Sequence, residues 1–172
     1  MKPLSSALIA CTLALLTMTA SAQTRPCSAA EHRQFDFWLG HWDVFGPAGR
    51  KVGENLIQPI LNGCALQEDW TSNGNISGRS LNLHDRATGR WHQTWVDSNG
   101  GRLELAGGLE APGRMVLSGT APDPRRPGIL VTQRISWTAH DDGSVHQLWD
   151  STDDGGKTWA IAFDGRYVRK PG

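Results

Sequence analysis

The sequence predicts an all-β protein: an antiparallel up-and-down β-barrel of about ten strands, entered through one short N-terminal helix. Three observations lead there. Beyond Gly40, apolar and polar residues alternate, the period of a half-buried strand. Turn residues interrupt that alternation roughly every 8–12 positions, leaving no stretch for a helical crossover. The chain also carries eight Trp and 20 Gly against one Tyr. Gly weakens helix interiors and Trp favours strands, so a helix bundle is disfavoured. A length of 172 residues bounds the chain to one domain or two very small ones. Lys+Arg and Asp+Glu balance at 17 each, which argues against nucleic acid as a partner.

Residues 1–22 read as a cleaved signal peptide. Lys2 supplies the positive start, Ala7–Leu16 the apolar run and Ala20-Ser21-Ala22 the cleavage site. The run is too short to span a bilayer, so no transmembrane segment is expected in the mature chain. Residues 23–172 are then a single periplasmic or secreted domain with a net charge of −1 once Lys2 is lost. Cys11 is removed with the signal. Cys27 and Cys64 remain as an even pair in an oxidising compartment, and a disulfide is expected. Closing a loop of about 38 residues is worth about 4 kcal/mol in the chain-entropy model.

Ser28 and Glu31 have capping-box spacing, which predicts a helix over about 29–39 that buries some of Phe35, Trp38 and Leu39 and ends at Gly40. Strands follow over 41–45 and near 50–59, 64–71, 78–85, 90–96, 102–109, 114–120, 128–139, 144–151 and 158–168. Asn62-Gly63, Ala87-Thr88-Gly89, Asn99-Gly100-Gly101 and Asp141-Asp142-Gly143 supply the turns. Three prolines make 121–127 a loop. Thr152-x-Asp154-x-Gly156-x-Thr158-Trp159 resembles the Asp-box turn of sialidases and related β-propellers. The single copy argues against a propeller. Its expected role is structural: Asp154 accepts backbone N–H bonds, Gly156 supplies positive φ and Trp159 packs beneath. A calcium site from Asp150, Asp153 and Asp154 is the alternative, though the spacing is not that of an EF-hand.

Alternation sorts residues onto faces. An amide or carboxylate stands two residues before a Trp in Glu68-x-Trp70 and Gln93-x-Trp95, where Trp91 precedes on the same face. Gln147-x-Trp149 repeats the pattern, and Gln133 shares a face with Trp137. In an ordinary core the polar positions would be aliphatic, because a buried amide without a partner costs roughly 1–3 kcal/mol. These nine residues are the candidate ligand-binding set of a partly wet interior, suited to a small polar or aromatic molecule. Glu68 and Asp97 are the candidate proton-transfer groups. The six His show no metal-binding spacing, and His84, His92 and His146 are read as surface residues. No metal or cofactor is expected, and binding rather than catalysis is the leading expectation. Two alternatives are a barrel enzyme using Glu68 or Asp97 and a cell-envelope interaction module presenting surface Trp.

The opening Phe35-Asp36-Phe37-Trp38-Leu39-Gly40-His41-Trp42-Asp43-Val44 resembles a family of small exported bacterial proteins of unknown function. The likeness extends over Asn62-Gly63-Cys64, the segment 91–97 and the segment 154–159. Gly40-x-Trp42, after a helix and before a meander, is similar to the first strand of the lipocalin and fatty-acid-binding superfamily. That resemblance implies a calycin-like barrel in which a basic residue of the last strand, Arg166 or Arg169, covers Trp42. Haem-binding barrels of similar shape use a His near the C-terminus. The last His here is His146, so haem is not expected.

Overall fold

The computed structural model describes residues 26–171. The expected signal segment 1–22 and its cleavage site lie outside the described residues. Ten strands follow one another: β1 (Gly40–Phe45), β2 (Lys51–Ile60), β3 (Ala65–Ser72), β4 (Ser77–Asp85), β5 (Arg90–Asp97), β6 (Arg102–Ala111), β7 (Arg114–Pro122), β8 (Leu130–Ala139), β9 (Val145–Thr152) and β10 (Ala160–Arg169). Each pairs antiparallel with its sequence neighbours, and β1 closes on β10 through Trp42↔Arg169 and Phe45↔Arg166. Closure leaves no strand edge unpaired.

An up-and-down barrel has two ends. The connections 61–64, 86–89, 112–113 and 140–144 lie with the N-terminal segment at one end. The connections 46–50, 73–76, 98–101, 123–129 and 153–159 lie at the other. The first end is plugged. Its helical segment consists of two 3₁₀ turns, Ala30–Arg33 and Asp36–Trp38. The capping box of Ser28 and Glu31 does not form, because extended Ala29 precedes the first turn with no side-chain cap. Three residues per turn explain the choice of 3₁₀ geometry. Residues three apart eclipse one another, and His32, Phe35 and Trp38 are three apart and all buried.

Phe35 stacks on Trp38 and meets Trp91 and Trp137 edge-on, at centroid distances of 4.9, 5.6 and 5.1 Å. Trp91 Nε1 donates to Gln34 (3.1 Å) and Trp42 Nε1 to the Trp38 carbonyl (2.9 Å). His84 faces inward here rather than to the surface, edge-on to His32 at 5.3 Å. The cation over Trp42 is Arg169, with its guanidinium 4.4 Å from the ring centroid and donating to the Leu39 carbonyl. Gly40 leaves room for it, since a Cβ there would lie 2.4 Å from that guanidinium. Arg166 is not the stacking residue. Alternation turns it outward, where it donates to Asp142. The Cys27–Cys64 disulfide, with its Cα atoms 5.0 Å apart, ties the plug to the β2–β3 connection.

On the outer wall, Asp154 accepts bonds from the Lys157 and Thr158 amides and from the Thr152 and Thr158 hydroxyls. The resulting turn lays Trp159 on Arg134, 3.8 Å from guanidinium to ring centroid. Asp150 pairs with Arg134 and Asp153 with Arg126, so all three carboxylates of the calcium alternative already have protein partners. Among the described residues no group of three or more His, Cys, Asp or Glu is arranged to hold a metal. Nor is any described helix long and apolar enough to cross a membrane.

Candidate functional site

The unplugged end holds a pocket of about 80 Å³. One water needs roughly 10–15 Å³ by this measure, so there is room for several waters or one small molecule. Its rim is aromatic: Trp70 from β3, Trp95 from β5, Trp149 from β9 and Phe163 from β10. Leu103 and Ile135 form apolar wall. The floor is polar, made of Glu68, Gln93, Gln147 and Tyr167.

Glycines seat the rim. A Cβ on Gly53 would lie 2.6 Å from the Trp70 ring, one on Gly78 2.2 Å from the Trp95 ring and one on Gly165 2.6 Å from the Phe163 ring. Each ring lies against bare backbone that any larger residue would push it off. Trp70 and Phe163 then meet edge-on at 5.7 Å.

The floor belongs to a hydrogen-bonded belt around the barrel interior. Tyr167 Oη donates to Gln147 Oε1 and accepts from Asn55 Nδ2 (3.3 Å). Asn55 Nδ2 also donates to Glu68 Oε1 (2.7 Å), and Ser80 Oγ donates to Glu68 Oε2 (2.6 Å). Asn82 Nδ2 donates to Ser80 Oγ (2.8 Å), and Gln93 Nε2 to Asn82 Oδ1 (2.9 Å). Among the described residues, Gln93 Oε1 and Gln147 Nε2 have no partner in the protein. Glu68 is 4 % exposed. Burial pushes its carboxyl up to about 7, against the pull of its bonds from Ser80 and Asn55, and the nearby Asp69 charge adds to the rise.

Six of the nine residues expected to bind ligand therefore come together: Glu68, Trp70, Gln93, Trp95, Gln147 and Trp149. Trp91 and Trp137 share the inward face but sit at the plugged end, packed against Phe35. Gln133 stands behind the rim, where its Oε1 accepts from Trp149 Nε1 at 2.6 Å and orients that indole. Asp97 is a turn anchor rather than a pocket group. Burial works to raise its pKa, but bonds from the Gly101 and Asn99 amides and the Trp95 indole outweigh it and hold the carboxyl below its ordinary value. Asn55, Ser80, Asn82, Phe163 and Tyr167 were not in the expected set. Asn55, Ser80 and Asn82 could have been found as polar residues on the inward alternation of β2 and β4. Phe163 and Tyr167 share a face with Gly165, a pattern obscured by the bulge between Ile161 and Phe163.

None of the eight Trp is exposed. The exposed large apolar side chains, Leu81, Leu83, Val96 and Ile161 among them, are aliphatic. No protein-family model matches the chain, and no curated protein matches it.

Proposed function

We propose that this chain is an exported, lipocalin-like binding protein whose open-end pocket holds one small polar molecule between the aromatic rim and the amide–carboxyl floor. The observation that carries the reading is the pair of unmet hydrogen-bonding atoms, Gln93 Oε1 and Gln147 Nε2, beside the Glu68 carboxyl. Neither atom is among the fully buried ones without a partner, so both open onto the cavity, where a ligand that both donates and accepts would replace water. Flat rings give such a ligand apolar contact while the floor fixes its orientation. The Cys27–Cys64 disulfide supports export, because such bonds persist in oxidising compartments. Arg169 over Trp42, beside Gly40, supports kinship with the calycin-like barrels.

A second reading, a barrel enzyme with Glu68 as its proton-transfer group, is favoured by the carboxyl's shift to about 7 within a pocket. Asp97 has no part in it, since its oxygens hold the β5–β6 turn. Trp fluorescence titration against a panel of small polar metabolites tests the binding reading, with mass spectrometry of each hit after incubation. At least one compound should shift the emission, and Leu103→Trp, which fills the pocket from β6, should abolish that shift while leaving the far-UV spectrum intact. A silent panel, or a filled variant that binds as well as the parent, would sink the proposal. Chemical conversion of the hit, lost in Glu68→Gln, would decide for the enzyme.

A further inference from the structure

We infer that the pocket takes a compact organic cation, an amine carried as its ammonium ion. The inference rests on the binding reading above and names its ligand class. Trp70 and Trp95 reach the cavity from one half of the barrel, Trp149 and Phe163 from the other. A cation over a ring face is drawn to the ring quadrupole, more strongly where water is excluded. Glu68 is the one carboxyl in the lining, and no Lys, Arg or His stands beside it. An anion would therefore meet like charge and aromatic walls.

Donor and acceptor capacity agrees with charge. Each Glu68 oxygen accepts one bond, from Asn55 or from Ser80. A carboxylate offers about four acceptor sites, so two remain. Gln93 Oε1 adds another acceptor without a protein partner among the described residues. An ammonium head is a cluster of donors, the complement of those acceptors, and Gln147 Nε2, the unmet donor of the floor, is left to water. The volume of about 80 Å³ admits a short chain behind the head, against Leu103 and Ile135.

The site also predicts how binding responds to pH. Around Glu68 stand Asn55 from β2, Ser80 from β4, Tyr167 from β10 and, on its own strand, Asp69. Asp69 is the charged neighbour and pairs with Arg79. Tyr167 stays neutral, because burial pushes its hydroxyl up. Burial pushes the Glu68 carboxyl up to about 7. A bound cation stabilises the ionised form, so binding expels a proton, and affinity should fall about tenfold per pH unit below 7.

The test is a titration of the full barrel with butylammonium, butan-1-ol and butyrate, which share a chain and differ in charge. The readout is the NMR shift of the indole N–H groups. At pH 8, butylammonium should bind at least tenfold more tightly than butan-1-ol, and butyrate should shift nothing. Glu68→Gln should bring the ammonium and the alcohol within about threefold of each other. From pH 7 to 5 the ammonium should weaken about tenfold per unit while the alcohol holds constant. If Glu68→Gln does not fold, the pH series on the parent protein decides alone. Alcohol or butyrate binding as tightly as the ammonium overturns the cation inference and leaves the binding reading standing. Silence from all three also overturns it, while the broader metabolite panel judges binding separately.

Discussion

Glu68 is a neutral carboxylic acid over part of the range in which most carboxyls are charged. Its folded-state value of about 7 lies above the roughly 4.5 of the unfolded chain. Below about 4.5 both states hold the proton, and Glu68 contributes its full stability. Between 4.5 and 7 only the folded state holds it, so stability declines as pH rises through that window. Above 7 the loss is complete, about 3 kcal/mol by linkage. Urea melts at pH 5, 6, 7 and 8 should show the decline, and Glu68→Gln should flatten it and be the more stable protein at pH 8. At this scale the sequence was legible where side chains repeat: Glu68, Gln93 and Gln147 each stand two residues before a Trp, and all three are in the floor. Asp97 was not legible. Its role depends on backbone amides at Asn99 and Gly101 pointing back at it, and residue type alone does not orient an amide.

Elements were legible wherever turn residues punctuate the chain. All ten strands lie within a few residues of the expected spans. Alternation, however, assigns a side chain to a face and says nothing about its height along the barrel axis. Height follows from register and strand direction. That is why Trp91 and Trp95 share a face yet lie at opposite ends, one against Phe35 and the other at the rim. Capping-box spacing predicts one continuous short helix over 29–39; the chain instead makes two 3₁₀ turns, in step with the three-residue repeat of His32, Phe35 and Trp38. Gly53, Gly78 and Gly165 fall inside strands, and residue type alone does not reveal that a ring is seated on each. Gly78→Val should displace the Trp95 indole, weaken ligand binding tenfold or more and destabilise the barrel by roughly 1–3 kcal/mol. Near-UV circular dichroism and the titration above read the two effects, and unchanged binding would show that the seat does not position the ring.

The whole molecule is a closed barrel with unlike ends. Closure of β1 on β10 joins the first and last strands, as an up-and-down meander without exposed edges requires. The disulfide adds a restraint that strand pairing does not supply, since residues before β1 belong to no strand. Replacing Cys27 and Cys64 by Ser should lower stability by up to about 4 kcal/mol, roughly 8–16 °C in Tm for a domain of this size. Differential scanning calorimetry measures it, and an unchanged Tm would mean that the plug holds by packing alone.

That plug has a kinetic meaning as well. With Phe35 and Trp38 filling one end, the interior is a cul-de-sac, and whatever enters past the rim leaves by the same doorway. No second molecule can push the first through from behind. Exchange is strictly one out before one in, so residence time is set by the occupant and the rim rather than by how crowded the outside is.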